Sequence, residues 1–443
     1  MTSFTASHSF PSPGRRAALL CATLLCLGSL PAAANAAAAT ANAAAATNAK
    51  ATLPPRNVEA APMVAPRNGE AAPMVAAPRN GEAVPMVVAP RNGEAAPMMV
   101  ARQGHTATVL PDGTVLVAGG IGRDGSATTH AEIYDPKTNK WTEAETMTVA
   151  RSQHTATLLA DGNVLVAGGV DRTTFRNSAE VYDRAANTWF AVGPMSEALR
   201  AAHTATLMRD GRVLIAGGHG YPDDDEYEDT MALATAVIYD PRSQTWTKAA
   251  PMRTERQLHA ATLLADGKVL LIAGAGEFGG LSDGEAYDPA TNSWSAAGVL
   301  REQRWSHTAN LLPNGKVLVV GGFGSNRSLA SAELYDAAQR KWTPAAPMAA
   351  PRHLHTATLL PSGRLLAEGG VVTSGAAPSA ELYDYSTDRW MPAGVALRKR
   401  FSHSATLLPG GGLMLSGGLD ANDILSSTEV FSLKSIEAGA AAP

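Results

Sequence analysis

The residues that could do chemistry form a regular series of arginine and histidine pairs. Each histidine has an arginine three residues before it, and the pattern occurs seven times. The histidines are His105, His154, His203, His259, His307, His355 and His403, and the arginines are Arg102, Arg151, Arg200, Arg256, Arg304, Arg352 and Arg400. Imidazole nitrogens bind metal ions, and guanidinium groups bind anions. The series therefore raises two alternatives: a ring of metal ligands, or structural groups repeated in each copy.

A metal site explains this series poorly. A zinc ion accepts about four ligands near 2 Å, and seven equivalent side chains cannot all approach one ion that closely. A catalytic site is asymmetric, whereas a residue present in each copy suits a structural role. We therefore interpret the histidines and arginines as groups that satisfy buried backbone atoms where neighbouring repeats meet.

Other residue types follow the same register and define a long repeat. Successive histidines lie 49, 49, 56, 48, 48 and 48 residues apart. In the first repeat, His105 is followed by Gly119–Gly120, then Tyr134–Asp135, then Trp141. The fourth repeat has Ala273 in place of the first glycine, and the seventh has no tryptophan. Self-similarity at such a period is typical of solenoids and propellers.

Each repeat has the composition of four β-strands. His105–Leu110 and Thr114–Ala118 are β-branched and apolar runs, and Asp112–Gly113 between them is typical of a tight hairpin turn. A third run ends at Tyr134, and a fourth begins at Trp141. No segment of helical period interrupts the repeats. The sequence therefore predicts four-stranded antiparallel sheets.

With a double glycine after the second strand, then Tyr-Asp, then a spaced tryptophan, the chain resembles the kelch-repeat family. The resemblance covers residues 92–431. It implies that each repeat is one four-stranded blade and that the blades stand around a central channel. The expected fold class is an all-β, seven-bladed β-propeller, in which the tryptophans pack between sheets and the glycine pairs allow close backbone approach.

The start of the repeat region is expected to complete the last repeat. The seventh copy lacks its outer strand, and Asn92–Met98 aligns with Trp342–Met348, the outer strand of another copy. An N-terminal strand added to the seventh sheet would close the ring and leave no exposed strand edge. Since Asn92 stands where the other copies have tryptophan, this seam is expected to be the weakest.

The first 91 residues are organised differently. Arg15–Arg16 precede an apolar run over residues 17–30, and Ala34–Ala36 fits a cleavage site for a signal peptide. We predict a signal peptide at 1–36, a low-complexity Ala/Pro-rich linker at 37–91, the propeller at 92–433 and a disordered tail at 434–443. The protein is expected to be exported, to a periplasm or to the extracellular space.

Composition excludes several classes of site and partner. Cys21 and Cys26 are the only cysteines and lie inside the apolar run, so the mature chain is expected to have no disulfide and no thiolate metal site. The net charge is −4 with no basic stripe, which argues against a nucleic-acid partner. No later apolar run is long enough to span a membrane. We expect a monomer.

The loops between strands 2 and 3, and from strand 4 to the next strand 1, share one face of such a ring, here called the loop face. The largest insertion on it lies between Gly218 and Tyr239 of the third repeat. Its acidic residues are Asp223, Asp224, Asp225, Glu226, Glu228 and Asp229. Asp223, Asp225 and Asp229 could bind calcium, since carboxylates are its preferred ligands. The spacing is not that of an EF-hand, and a solvated charged loop is the alternative. No other cofactor is expected.

Smaller departures from the repeat give candidate ligand contacts on the same face. These are Trp305, Glu368, Asn310, Glu277, Arg172 and Arg176. Trp305 could stack on a sugar, and Glu368 places a carboxylate before a glycine pair where other copies have Ala, Ile, Val or Ser. Asn310 replaces a threonine that the other six copies share. Together these residues describe a mixed polar rim.

The first functional hypothesis is a non-catalytic binding module that recognises a carbohydrate, peptide or surface component. A protein or glycan partner is therefore expected. The alternative is a sugar-modifying enzyme similar to the exported sialic-acid mutarotases of this fold, with Glu368 as the acid/base candidate. Resemblance to galactose oxidase does not extend to its copper site, because no cysteine follows Cys26. A third hypothesis is a structural or adhesive role, in which the linker displays a rigid disc.

Overall fold

The structure is a computed structural model that describes residues 93–195, 198–221, 230–372, 375–376, 380–394 and 398–438. The predicted signal peptide and linker and the acidic residues from Asp223 to Asp229 lie outside the described residues. No helix within the described ranges is long and apolar enough to cross a membrane.

The repeat region folds into four-stranded antiparallel sheets, as predicted. They are numbered by repeat and given strand by strand: sheet 1, Thr106–Val109, Val115–Ala118, Ala131–Asp135 and Lys140–Ala144; sheet 2, Thr155–Leu158, Val164–Ala167, Ser178–Asp183 and Thr188–Pro194; sheet 3, Thr204–Leu207, Val213–Ala216, Ala236–Asp240 and Thr245–Ala249; sheet 4, Ala260–Leu263, Val269–Gly276, Gly279–Asp288 and Ser293–Val299; sheet 5, Thr308–Leu311, Val317–Val320, Ala332–Asp336 and Lys341–Ala345; sheet 6, Thr356–Leu359, Leu365–Glu368, Glu381–Asp384 and Arg389–Pro392; sheet 7, Ser404–Leu408, Gly412–Ser416, Thr428–Ser432 and Gly93–Ala95. The all-β fold class is confirmed.

Shorter strands lie in the loops between the second and third strands, and one of them, Leu199–Ala201, lies in the loop from sheet 2 to sheet 3. They are the pairs Val170–Asp171 with Thr174–Phe175, Phe323–Gly324 with Arg327–Ser328, and Val371–Val372 with Gly375–Ala376, and the three-stranded group Leu199–Ala201, His219–Tyr221 and Met231–Ala232. In sheet 4 the second and third strands themselves extend to form the hairpin, with a turn at Glu277–Phe278.

Each sheet buries both of its faces against its two neighbours. The second strand of sheet 1, Val115–Ala118, is buried at all four positions, so its apolar residues run without alternation. Val115 packs in a cluster with Met414 of sheet 7, and Leu116 packs in another with Val164 of sheet 2. The hydrophobic core is therefore divided among the junctions between sheets.

The innermost strands form a closed cycle. The first strand of each sheet contacts the first strand of the next, and Ser404–Leu408 of sheet 7 contacts Thr106–Val109 of sheet 1. Gly93–Ala95 pairs antiparallel with Thr428–Ser432, with Glu94 opposite Glu429. The start of the repeat region thus supplies the fourth strand of sheet 7, as the alignment predicts.

The C-terminal segment differs from expectation. Instead of a disordered tail from residue 434, an α-helix spans Leu433–Ala438. Ile436 is fully buried in the same hydrophobic cluster as Phe431, and its carbonyl oxygen accepts a hydrogen bond from the Gly394 N–H at 2.8 Å. Ile436, with the partly buried Leu433 beside it, therefore anchors the helix to the junction between sheets 6 and 7.

Candidate functional site

The seven repeated arginines are buried and serve the sheets. In each, Nη1 donates to the carbonyl oxygen of the residue 17 positions later, at 2.6–3.1 Å. That residue is the first glycine of the pair, or Ala273 in the fourth repeat. The guanidinium groups thus satisfy carbonyls that are closed to water, which is the role that the structural interpretation gives them.

Six of these arginines also pair with a buried or nearly buried glutamate of the third strand. The partners are Glu132, Glu180, Glu285, Glu333, Glu381 and Glu429. In sheet 3 the equivalent residue is Val237, and Arg200 donates to the carbonyl and hydroxyl oxygens of Thr235. The glutamates further accept N–H bonds from the incoming loop, such as those from Ala349 and Ala350 to Glu381 at 2.7 and 3.1 Å. The ion pairs therefore hold the loop face to the sheets.

Six of the seven repeated histidines place Nε2 against a hydroxyl group of the preceding sheet, and sheet 4 has Ala260 at the position of that hydroxyl. Nε2 of His154 lies 3.0 Å from Thr106 Oγ1, and Nε2 of His203 lies 3.0 Å from Thr155 Oγ1. Burial, with a smaller contribution from the nearby arginine charges, lowers the pKa of His154 to about 3. Among the described residues, no group of three or more His, Cys, Asp or Glu side chains could hold a metal ion.

The glycine pairs are required where these histidines pass. A Cβ on Gly119 would lie 2.5 Å from the Arg151 carbonyl oxygen and 2.6 Å from His154 Cε1, and the residue has a φ of 64°. In the fourth repeat, Ala273 adopts a φ of 50° with its methyl group fully buried. The junction between sheets 4 and 5 therefore differs from the others in having a buried methyl group at the position of the first glycine.

A polar cluster between sheets 6, 7 and 1 departs from the sevenfold pattern. It consists of Thr356, Glu368, His403, Ser404, Ser416 and His105. Glu368 is fully buried; one of its carboxylate oxygens accepts a bond from Thr356 Oγ1 at 2.6 Å and forms a short contact with His403 Nε2. Ser404 Oγ lies 2.7 Å from Ser416 Oγ and 3.0 Å from His105 Nε2. The other sheets have apolar residues at the positions of Glu368 and Ser416.

Electrostatics keep Glu368 ionised. Burial raises its pKa, but the charge of His403, the hydrogen bonds from His403 and Thr356 and the charge of Arg400 together lower it below the ordinary value. Within the described ranges Glu368 forms no ion pair with an arginine, and its side chain does not reach solvent, in contrast to the expectation of a carboxylate facing the channel. Its contacts indicate an internal link between sheets 6 and 7.

A ring of backbone groups closes the centre of the loop face. It consists of the residue before each repeated histidine: Gly104, Gln153, Ala202, Leu258, Ser306, Leu354 and Ser402. Each N–H donates to the carbonyl oxygen of the preceding member at 3.0–3.4 Å, and Gly104 donates to Ser402 to complete the cycle. All seven have a φ between 51° and 58°. This conformation is uncommon for leucine, and its cost is offset here by the inter-sheet hydrogen bonds.

Trp305 does not offer the free ring face expected of a sugar platform. Only 8% of the residue is exposed, and its ring lies against Gly280 in the hairpin of sheet 4 and 5.2 Å from the ring of Phe323. The extended hairpin covers the indole, which the loop position in the sequence could not show. Trp305 instead supports that hairpin from the neighbouring repeat.

Asn310 and the two arginine candidates also make links within the ring. Asn310 Nδ2 donates to the carbonyl oxygen of Ala357 in sheet 6 at 3.3 Å. Arg172 is exposed and its Nη2 donates to Ser126 Oγ at 2.8 Å, which joins the loops of repeats 1 and 2. The backbone carbonyl of Arg176 accepts the Arg200 N–H at 3.0 Å. Both arginines lie on repeat 2 and Asn310 lies on repeat 5, so the three candidates form no single site.

The hairpin of sheet 4 carries the most exposed aromatic side chain of the described chain. Phe278 is 85% exposed at the turn, next to the half-buried Glu277. Val299, 65% exposed, ends the fourth strand of the same sheet at the same end, opposite Asp283. The strand ladder continues to Gly276 opposite Gly279, so these side chains stand on a paired and supported element. Sheet 4 thus presents an apolar edge on the loop face.

Comparisons with known proteins agree with this architecture. The profile of the KLHDC2/KLHL20/DRC7 kelch-repeats domain matches residues 92–274, and the kelch motif profile matches residues 304–349. No curated protein sequence matches the chain. The matched segments carry the repeated residues described above.

Two solved structures illustrate the likeness in fold. One is a fungal alcohol oxidase of the AA5 family in complex with copper, at 18% identity and a TM-score of 0.60, covering 77% of this chain and 76% of that one. The other is YjhT, at 18% identity and a TM-score of 0.51, covering 67% of this chain and 99% of that one. At such identity, the likeness shows the fold alone. From its repeats, its ring of four-stranded sheets and these matches, the chain belongs to the kelch-repeat β-propellers.

Proposed function

We propose that this protein is an exported, non-catalytic binding module that engages a protein or peptide partner through the loop face, with the hairpin of sheet 4 as the main contact. The observation that carries the proposal is the exposure of Phe278 at the tip of a hairpin supported by Trp305. Aromatic side chains held on rigid elements supply much of the affinity at protein interfaces. The repeated arginines and glutamates pair with each other inside the ring, so the loop face is left as the surface for binding.

The neighbouring surface suits such a partner. Phe278 and Val299 provide apolar area, and Glu277 and Asp283 provide carboxylates beside it. An apolar centre with a polar rim is typical of protein interfaces. Phe323 and His353 continue the row of rings beyond Trp305, at 5.2 and 5.1 Å between successive centroids. A glycan would also find hydrogen-bonding groups on this rim, so both ligand classes belong in the test.

The experiment is a binding screen of the full mature chain against a displayed peptide library and a glycan array, with and without calcium. For any peptide that binds, Phe278→Ala is expected to weaken binding about tenfold, equivalent to about 1.4 kcal/mol. Tyr385→Ala is the matched control, because Tyr385 is a partly exposed aromatic residue at the opposite ends of the strands. Unchanged binding in Phe278→Ala would remove the hairpin from the site. If the protein bound glycans and no peptide, the proposed protein or peptide partner would be wrong and the partner would be a glycan.

A second candidate function is a sugar-modifying enzyme. It is favoured by one observation, the asymmetric pairing of Glu368 with His403 inside a ring that is otherwise repetitive. The pair would have to become accessible to substrate, since both side chains are fully buried. Anomer exchange or hydrolysis of sugars by the purified protein, lost in Glu368→Gln, would support this candidate over the binding module.

A further inference from the structure

The segment that closes sheet 7 is one of four near-identical segments in the chain. Copy 1 is Asn57–Met63, copy 2 is Asn68–Met74, copy 3 is Asn80–Met86 and copy 4 is Asn92–Met98. Copies 2 and 4 are identical, with the sequence Asn-Gly-Glu-Ala-Ala-Pro-Met, and copies 1 and 3 each differ from it at one position. The structure shows what copy 4 does, and so indicates what the other copies are able to do.

Copy 4 occupies a defined slot made by sheets 7 and 1. Gly93–Ala95 pairs with the third strand of sheet 7, and Ala96 is clamped between two residues of sheet 1. Its carbonyl oxygen accepts from Trp141 Nε1 at 2.7 Å, and its N–H donates to Asn139 Oδ1 at 3.1 Å. These bonds go to the backbone of copy 4, so they do not depend on its side chains.

Met98 supplies the side-chain anchor. It is 3% exposed and packs with Val115, Tyr134 and Met414, and its N–H donates to the Ser426 carbonyl oxygen at 2.8 Å. Sheets 1, 2, 3 and 5 have an equivalent methionine, such as Met348, which is also 3% exposed, and sheet 4 has Leu300 there. The slot therefore selects an extended segment that has methionine two residues after the clamped position.

The three upstream copies differ in how well their residues fit this slot. Copy 2 has the same seven residues as copy 4. Copy 3 has Val84 at the position of Ala96, and the clamp accepts a larger residue there, because Trp189 binds Glu145 in the same way in the next sheet. Copy 1 has Val58 at the position of Gly93, whose φ is 123° and disfavours valine. Copies 2 and 3 therefore match the slot, and copy 1 does not.

We propose that copies 2 and 3 are spare closing strands, each able to replace copy 4 in the slot on sheet 7 of the same chain. Only the length of chain between the closing strand and Arg102 would change, by 12 residues for copy 3 and by 24 for copy 2. The entropic cost of a longer loop grows slowly with its length, so such a shift is tolerated. Tethering in the same chain also keeps the local concentration of the spare strands high.

The test measures thermal unfolding of the full mature chain and of variants with a charge at the anchor position. Met98→Asp alone is expected to lower Tm by about 2 °C or less, because copy 3 or copy 2 takes over. Met74→Asp with Met86→Asp is expected to leave Tm unchanged, because copy 4 is intact. The triple variant is expected to lose roughly 8 °C or more. This non-additivity is the signature of replacement, since independent sites would give additive losses.

Met348→Asp is the matched control, because its anchor methionine lies in a strand that has no second copy. It is expected to lower Tm as much as the triple variant does. If Met98→Asp alone is as damaging as Met348→Asp, or fails to fold, the spare strands do not act and the proposal is overturned. A triple variant as stable as the wild type would also overturn it. If Met98→Asp keeps its stability only as a dimer by light scattering, the replacing strand comes from a second chain, and the proposal of replacement within one chain is wrong.

Discussion

Charged side chains are buried and repeated in the interior of the ring, whereas they are exposed and vary between repeats on the loop face. Two arginines on one loop show this difference. Arg400 is fully closed to solvent and binds Glu429 at 2.7 Å and the Gly417 carbonyl oxygen at 2.8 Å. Arg398, two residues earlier, is 48% exposed and binds Asp420 at 2.9 Å. The residue type and the partner type are alike, yet only the first is repeated in each sheet. A repeated charge in this fold therefore indicates architecture, and ligand contacts belong among the residues that vary.

Acid should break the interior before it affects the loop face. Burial lowers the pKa of His154 to about 3, and it lowers the pKa values of His105 and His355 well below the ordinary value. The unfolded chain, with an ordinary histidine pKa near 6.5, therefore takes up protons first as the pH falls. Stability that is fully present above about pH 6.5 is lost as the pH falls toward 4, by about 2 kcal/mol for each such histidine between pH 7 and 5.

Urea unfolding at pH 7, 6 and 5 measures this loss. His154→Asn is expected to reduce the dependence on pH, because it removes one of the buried histidines whose pKa is lowered. Phe278→Ala should leave the dependence unchanged, because it removes an exposed side chain that does not titrate. Equal stability at pH 7 and 5 in the wild type would contradict the burial of neutral imidazoles.

The two arginines provide the next largest test. Arg400→Ala removes the partner of Glu429 and leaves the carbonyl of Gly417 without its donor, so we expect a loss of about 3–5 kcal/mol in the free energy of unfolding. Arg398→Ala removes an exposed pair and is expected to cost about 1 kcal/mol or less. Denaturant titration of both variants at one pH gives the difference. Similar losses would show that burial does not separate the two roles.

Much of this interior could be predicted from the sequence, because it is repeated. The strand order, the turns and the closing strand all follow from residues that recur in register, and a single exception such as Asn92 is outweighed by the other copies. The ion pairs carry the same kind of signal, since a glutamate stands two residues before the repeated Tyr or Phe in six of the seven repeats. These glutamates recur at the same spacing as the repeated arginines. The ion pairs between them could therefore have been predicted from the sequence alone.

The loop face could not be predicted in the same way, because it depends on contacts between unlike loops. Trp305 is covered because the hairpin of sheet 4 is long enough to reach it, and no residue near Trp305 encodes that length. Leu258 and Leu354 adopt positive φ values that leucine rarely shows, and only the closed ring of peptide bonds requires them. Glu368 looked like a channel carboxylate, but its partner is His403, 35 residues away in the next repeat.

A smaller effect than that of Arg400→Ala is expected at the Glu368 carboxylate. Glu368→Gln keeps the side-chain volume and an oxygen for Thr356 but removes the charge that faces His403, so a loss of about 1–2 kcal/mol is expected at pH 7. Because the folded-state pKa of Glu368 lies below its ordinary value, the charge stabilises the fold above about pH 4.5 and its contribution fades as the pH falls through the folded-state pKa. The difference between the variant and the wild type should therefore shrink toward zero in acid. Ser416→Ala, which changes the same cluster without changing its charge, should give a difference that does not depend on pH in this range. If the difference in the free energy of unfolding between Glu368→Gln and the wild type stays constant in acid, the carboxyl group is protonated in the folded protein. Glu368 would then act as an uncharged residue, like the apolar residues at the equivalent position in other sheets.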